Sequence, residues 1–205
     1  MIDRYLFERE LWAEGYSRVM GLDEVGRGCL CGPVVAAGVI FAPETVVNPK
    51  IKDSKSISKA TRKKLALEIE KTALFYAVKA CTPAKIDELN ILNASIEAML
   101  KCTESKGANP EYLLIDGNRF TNTLIPHQCI VKGDDKSVSI AAASILAKVY
   151  RDEYMKKLHK QYPFYGWDKN VGYPTKTHLE GLQEYGYTEH HRKSFNLRTA
   201  RKYQK

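Results

Sequence analysis

Gly21-Leu22-Asp23-Glu24-Val25-Gly26-Arg27-Gly28 is the stretch on which the reading of this chain turns. Two adjacent carboxylates close an apolar run, and a glycine-arginine-glycine turn follows at once. A carboxylate at the end of a buried strand stands in poorly solvated surroundings, where charge is costly unless something pairs with it. A divalent cation is a natural partner, because hard cations take oxygen ligands. Gly26 and Gly28 leave main-chain N–H groups open to close approach. Arg27 adds a planar cationic fork suited to phosphate. Together these features point to chemistry on a phosphate ester.

Working outward, residues 17–24 and 33–41 are β-rich, separated by glycines, and read as neighbouring antiparallel strands. Ahead of them, residues 2–15 read as a short amphipathic helix with Tyr5, Leu6, Leu11 and Trp12 on one side. Residues 42–57 read as a loop. Within it Asp53-Ser54-Lys55 forms a turn whose lysine and hydroxyl could also hold phosphate. Ser58 is predicted to cap a basic helix running to about Lys71, with Leu65 and Ile69 inward. A strand follows over 74–80. Thr82-Pro83 starts a short helix that ends at Leu89. Asn90 leads into a second helix, whose predicted inward face is Ile96, Met99 and Leu100. Strands are predicted over 112–116 and 127–132. A long helix runs from Ser137 to Gln161, opening on the small apolar run Ile140-Ala141-Ala142-Ala143-Ser144 that marks it as buried. Residues 162–175 read as an aromatic loop and 176–185 as a helix. The pattern predicts one α/β or α+β domain around a mixed sheet, with a helical C-terminal part.

The composition fits such a domain, with 205 residues and 44% apolar content. Lysine and arginine number 32 against 24 acids, a net charge of +8 that suits a polyanionic partner. The five cysteines contain no CxxC pair and read as buried free thiols of a reducing compartment. The N-terminal residues lack an apolar targeting core. No run of about 18 apolar residues occurs, so neither a signal peptide nor a membrane span is expected, and a cytoplasmic location is.

Three apolar runs end on acids: Leu22-Asp23-Glu24, Leu114-Ile115-Asp116-Gly117, and Val131-Lys132-Gly133-Asp134-Asp135. If their strands are neighbours, the acids converge at one sheet edge, where they repel one another. Two divalent ions about 4 Å apart would neutralise them and clamp a phosphate. One such acid alone reads best as a turn former; three at comparable strand ends favour a site. Elsewhere, His190-His191-Arg192 is poorly suited to a metal, since adjacent histidines on a helix diverge. A phosphate contact or a plain surface fits it better. Gly172-Tyr173-Pro174-Thr175 reads either as a simple turn or as a rigid platform from which the tyrosine stacks on a sugar or base.

These residues resemble bacterial ribonuclease HII, the type 2 ribonuclease H family. The resemblance covers nearly the whole chain, in family order. It rests on Asp23-Glu24-Val25-Gly26-Arg27-Gly28, Gly32-Pro33-Val34-Val35, Asp53-Ser54-Lys55, Glu88-Leu89-Asn90-Ile91-Leu92 and Ile115-Asp116-Gly117-Asn118. It continues through Lys132-Gly133-Asp134, Ala141-Ala142-Ala143-Ser144-Ile145-Leu146-Ala147-Lys148-Val149, Gly172-Tyr173-Pro174-Thr175 and His190-His191-Arg192. The Gly-Arg-Gly triplet and the lack of a long N-terminal appendage set it apart from ribonuclease HIII.

The resemblance implies an α/β, ribonuclease H-like mixed β-sheet flanked by helices, with a C-terminal helical extension. Residues 1–160 would be the catalytic domain, and 161–205 the extension completing the substrate groove. It implies an endoribonuclease that cuts the RNA strand of RNA–DNA hybrids and cuts 5′ of single ribonucleotides in duplex DNA. The products would carry 3′-hydroxyl and 5′-phosphate ends. By resemblance Asp23, Glu24, Asp116 and Asp134 form the catalytic tetrad that binds Mg²⁺ or Mn²⁺, with the motif choosing Asp134 over Asp135. Gly26, Arg27 and Gly28 would surround the ribose 2′-hydroxyl and adjacent phosphate, and Tyr173 would pack on the sugar at the junction. Lys55, His191 and Arg192 would contact the nucleic-acid backbone. The expected partners are RNA–DNA hybrid duplex and ribonucleotide-containing DNA, with no membrane, for a monomeric enzyme. Asn170-Val171 departs from the histidine-lysine pair common in the family.

Overall fold

Alternation along residues 34–40 builds the centre of the fold. In the computed structural model, which describes residues 4–43, 45–52 and 57–195, strand β2 (Val34–Ile40) is buried throughout. Val34, Ala36 and Ile40 enter one core layer, while Val35, Ala37 and Val39 enter the other. A strand buried on both faces needs cover on both. β2 pairs antiparallel with β1 (Val19–Val25) and with β3 (Phe75–Cys81). β1 runs parallel to β4 (Tyr112–Asp116), which runs parallel to β5 (His127–Ile130). The result is a five-stranded mixed sheet in the order β3-β2-β1-β4-β5.

Helices α2 (Lys59–Thr72) and α6 (Val138–Gln161) cover one face, with Leu65, Ile69, Ala142 and Leu146 against Val35, Ala37 and Val39. Helices α3 (Pro83–Leu89) and α4 (Ile91–Thr103) cover the other. Helix α1 (Leu6–Ala13) closes the side near β4 and β5, its Leu11 packing with Val19, Leu114, Ile130 and Ile140. The caps predicted at Ser58 and Thr82 form, and Asn90 caps α4. Ser58 Oγ accepts the Thr61 N–H, Thr82 Oγ1 accepts the Lys85 N–H, and Asn90 Oδ1 accepts the N–H groups of Leu92 and Asn93. Each bond satisfies a donor that the first helical turn leaves without a partner.

Four expectations change. The sheet-facing stripe of α4 is Ala94, Ala98, Met99 and Cys102, while Ile96 and Leu100 stay half-buried. The cause is close approach: a methyl on Gly38 of β2 would lie 3.2 Å from Cys102 Cβ, so small side chains must face it. In α1, Leu6 is exposed and Phe7 turns inward instead. The strand predicted over 127–132 stops at Ile130, because Lys132 adopts φ 56° and the chain turns into the one-turn helix α5 (Gly133–Lys136). Asp134 therefore sits on a helical turn, not at a strand end. The aromatic loop contains a 3-10 turn, Pro163–Tyr165, and helix α7 (Trp167–Asn170), before α8 (Lys176–Tyr185). This C-terminal segment packs Tyr165, Trp167, Val171 and Leu182 onto Leu30, Cys31, Met155 and Leu158. It thereby lies against the loop that follows β1. All five cysteines are free. Among the described residues no helix is long and apolar enough to cross a membrane.

Candidate active site

The acid-bearing edge follows from how α6 meets β1. A methyl on Gly21 would overlap the main chain of Ser139 and Ile140 and lie 2.5 Å from Ser139 Cβ. Helix α6 therefore rests directly on β1 and roofs Asp23, which is only 6% exposed. β1 and β4 are parallel and pair through Leu22 and Ile115. The next residues, Asp23 and Asp116, leave the sheet at the same edge. Asp23 Oδ1 accepts the Glu24 N–H at 2.7 Å, and Asp116 Oδ1 accepts the Gly133 N–H at 2.7 Å. The second bond draws α5 to β4, so that buried Asp134 follows immediately after a residue touching Asp116.

Burial, then the charges of Glu24 and Asp116, hold the Asp23 carboxyl well above the usual carboxylate range. Burial also raises Glu24, opposed by Arg27, whose Nη1 lies 3.2 Å from Glu24 Oε1. Glu24, Arg27, Asp116, Asn118 and Arg119 line a pocket of about 290 Å³. Among the described residues, no three His, Cys, Asp or Glu side chains are grouped closely enough to hold a metal ion as they stand. The acids are gathered at one edge, and two of their oxygens are held by main-chain N–H groups.

The loop after β1 is shaped from behind by two buried guanidinium groups. Arg151 of α6 donates to the carbonyls of Pro33, Val171 and Cys31 at 2.9, 2.8 and 3.0 Å. Gly26 has φ +97°, and a methyl there would lie 2.8 Å from Arg151 Cδ, so both conformation and space require glycine. Arg192 donates to Gly26 O at 2.7 Å, Arg27 O at 3.0 Å and Gly32 O at 2.9 Å. Burial lowers the Arg192 pKa to about 10, which leaves it charged at neutral pH. In a trans peptide C=O and N–H point opposite ways, and the chain has no cis peptide. With the Gly26 and Arg27 carbonyls turned onto Arg192, the N–H groups of Arg27 and Gly28 point away from it. Gly28 is exposed. The Tyr173 ring borders it, with Cε1 3.7 Å from where a Gly28 methyl would stand.

The ribonuclease HII family model matches residues 20–198. The chain belongs to the ribonuclease HII family. It is 50% identical over 194 residues to ribonuclease HII of Salinibacter ruber, covering 93% of this chain and 96% of that protein. It is similar to the crystal structure of ribonuclease H2 from Pyrococcus horikoshii, with a TM-score of 0.74, 27% identity, and 90% and 95% of the two chains covered. The fold is also shared with a ribonuclease HIII solved in complex with Mn²⁺, at a TM-score of 0.64 and 22% identity over 95% of this chain and 73% of that one. As a ribonuclease HII the chain is an endonuclease of the ribonuclease H class, with RNA–DNA hybrids as its broad substrate.

The expected backbone contacts at His191 and Arg192 need correction. Both are 1% exposed. Arg192 serves the loop carbonyls, and His191 bonds Thr188 and His178. They shape the site from within instead of facing a substrate. Lys55 lies outside the described residues. Asn170, the departure from the family pair, braces the turn before Tyr173. Its Oδ1 accepts the Gly172 N–H at 2.9 Å, and its Nδ2 donates to Tyr165 O and Thr175 Oγ1. Sequence reasoning missed Arg151 and His178. Both lie on amphipathic helices among other polar residues, and nothing in their spacing marks them as interior.

Proposed function

We propose that the enzyme cuts hybrids and, in particular, cuts 5′ of a single ribonucleotide embedded in duplex DNA, leaving 3′-hydroxyl and 5′-phosphate ends. The observation that carries this reading is the placement of the carboxylate edge beside the clamped loop. Asp23, Glu24 and Asp116, with Asp134 one residue beyond Gly133, lie next to a turn whose Arg27 and Gly28 N–H groups face away from Arg192. The 2′-hydroxyl distinguishes RNA from DNA. Main-chain N–H groups beside a residue without a side chain suit it, and here it acts as the recognition mark, not the nucleophile. Tyr173 packs on the sugar at the junction, and the exposed fork of Arg27 takes the neighbouring phosphate.

The donor set fits a hard divalent ion. It offers only carboxylate oxygens, and burial with neighbouring acids makes the charge of Asp23 and Glu24 unfavourable as they stand. Asp23, Glu24, Asp116 and Asp134 would hold Mg²⁺ or Mn²⁺, as the Mn²⁺-bound ribonuclease HIII of similar fold also suggests. Held by these residues, such ions would supply activation of a water and stabilisation of the leaving 3′-oxygen. In this reading residues 1–160 form the catalytic body, 161–205 complete the groove, and Lys55 adds a backbone contact. The net charge of +8 supplies affinity that falls with salt whatever the sequence. The matching cellular picture is a cytoplasmic monomer that removes ribonucleotides from DNA.

The test compares three duplexes with and without Mg²⁺ or Mn²⁺: one bearing a single ribonucleotide, a uniform RNA–DNA hybrid, and all-DNA. Metal-dependent cutting 5′ of the lone ribonucleotide, with the all-DNA duplex intact, is expected. Comparable cutting of all-DNA, or cutting without metal, overturns the reading.

A further inference from the structure

Behind Tyr173 lies a chain of hydrogen bonds whose protons can be assigned one by one. The Thr188 N–H donates to His191 Nδ1 at 2.9 Å. A main-chain N–H is an obligate donor, so that nitrogen is bare, and in the neutral ring the proton sits on Nε2. His191 Nε2 lies 3.1 Å from His178 Nε2. Trp167 Nε1, which can only donate, also lies 3.1 Å from His178 Nε2. His178 Nε2 is therefore the acceptor, and its proton sits on Nδ1. That Nδ1 faces the Tyr173 carbonyl at 2.9 Å and donates to it.

We propose that His178 and His191 are positioning residues for ribose recognition, a neutral and tautomer-locked relay that fixes the main chain at Tyr173 and thereby the ring beside Gly28. The proposal rests on the reading of Tyr173 as the residue packing on the sugar.

The relay exists in one protonation state. A proton added at His178 Nε2 would oppose two N–H donors, and one added at His191 Nδ1 would oppose the Thr188 N–H. The surroundings favour neutrality. Both histidines are 1% exposed or less. The rings of Tyr165, Trp167 and Tyr187 pack on His191, and His190 is the nearby titratable neighbour. No carboxylate appears among the influences on either ring. Burial pushes the His191 pKa down to about 4 and lowers that of His178. The relay is one of two fixings of the same carbonyl, since the Thr175 N–H also donates to Tyr173 O at 2.8 Å. Losing His178 should therefore loosen the tyrosine without erasing the turn.

The test joins a spectroscopic arm and a kinetic arm. In the intact enzyme, imidazole ¹⁵N resonances at neutral pH should report His178 as the Nδ1–H tautomer and His191 as the Nε2–H tautomer, both uncharged. An Nε2–H His178, or a charged ring, overturns the relay whatever the variants do. Kinetically, His178→Gln lacks the Nδ1 donor and should lower kcat on the single-ribonucleotide duplex by about tenfold, the scale of one lost hydrogen bond, with KM little changed. His178→Asn keeps an N–H at the Nδ1 position and should recover most of the rate. Added to Tyr173→Ala, His178→Gln should cost nothing more, because it acts through the tyrosine. An equal further loss in that background, or no rescue by asparagine, refutes positioning. Tyr173→Ala with an unchanged rate sinks the sugar reading itself and the relay's role in recognition with it, while the tautomers still judge the geometry separately.

Discussion

Gly21→Ala should damage the enzyme without touching any acid. The added methyl would overlap the main chain of Ser139 and Ile140 and stand 2.5 Å from Ser139 Cβ, where ordinary contact begins at 3.4 Å. Relief requires the first turn of α6 to move by at least 0.9 Å, the difference between those two distances. Backbone lies on both sides, so no side-chain rotation can absorb the shift. Overpacking of this kind costs about 1–3 kcal/mol. In a chain of this size each kcal/mol moves Tm by roughly 2–4 °C. The variant should therefore melt several degrees lower yet remain folded at assay temperature. The larger effect is functional. Helix α6 follows α5 directly, and Ser137 both ends α5 and caps α6. Displacing α6 from β1 shifts Asp134 relative to Asp23, and misplacement by about 1 Å can cost on the order of 100-fold in rate. Thermal unfolding and cleavage of the single-ribonucleotide duplex, measured well below Tm, decide the matter. An unchanged Tm together with full turnover would refute the direct seating of α6 on β1.

Asp23→Asn should abolish cleavage, preserve duplex binding and raise the Tm of the metal-free protein. The native carboxyl binds its proton more tightly folded than unfolded, so its contribution to stability falls as pH rises past the usual carboxylate range; retained turnover, or a lower Tm at neutral pH, counts against this. Arg192→Lys keeps the charge but loses the planar fork. Stranding one or more of the Gly26, Arg27 and Gly32 carbonyls should cost about 1–3 kcal/mol each, with kcat falling alongside, and an unaltered denaturation midpoint would remove Arg192 from the loop's support. His191 has a depressed folded pKa of about 4, so its stabilising contribution is complete above the ordinary imidazole value of 6.5 and is lost as pH falls from there toward 4. The full window is worth on the order of 3 kcal/mol, and His191→Asn should flatten the acid limb of a denaturant-stability profile; an identical acid limb argues that other groups govern it.

Much of the sheet was legible because β2 and β1 alternate two apolar faces, and the helix caps at Ser58 and Thr82 follow from local chemistry alone. The convergence of Asp23 and Asp116 was legible as well, since both end apolar runs and parallel neighbours release their last residues at one edge. Asp134 was placed in the right neighbourhood but on the wrong element. The left-handed turn falls on Lys132 and not on the adjacent Gly133, so the glycine marks the break one residue late. The inward stripe of α4 was misjudged because hydrophobic size stood in for burial. Close approach to Gly38 favours a small residue at Cys102. His191 and Arg192 read as surface because charged and polar residues are rarely buried without partners. Their partners are loop carbonyls and a second histidine, reached only when the C-terminal segment folds back, with 166 residues separating Arg192 from Gly26.

That long-range pairing also bears on the acids. A buried guanidinium beside buried carboxylates would ordinarily pair with them and neutralise both. Here the buried arginines behind the loop are spent on neutral carbonyls, Arg151 on Pro33, Val171 and Cys31, and Arg192 on Gly26, Arg27 and Gly32. The main influences on Asp23 include no cation, and Arg27 lowers Glu24. At this loop the two buried guanidinium groups thus serve carbonyls, while the carboxylates gather at the neighbouring strand ends. Were Arg192 turned toward Asp23, the carboxylate edge would be paired internally. The Arg27 and Gly28 N–H groups would also lose the support that aims them outward. One arrangement of two buried arginines therefore bears on both halves of the candidate site, leaving Asp23 without a buried arginine partner and the Arg27 and Gly28 N–H groups turned outward, the arrangement that the proposed function uses.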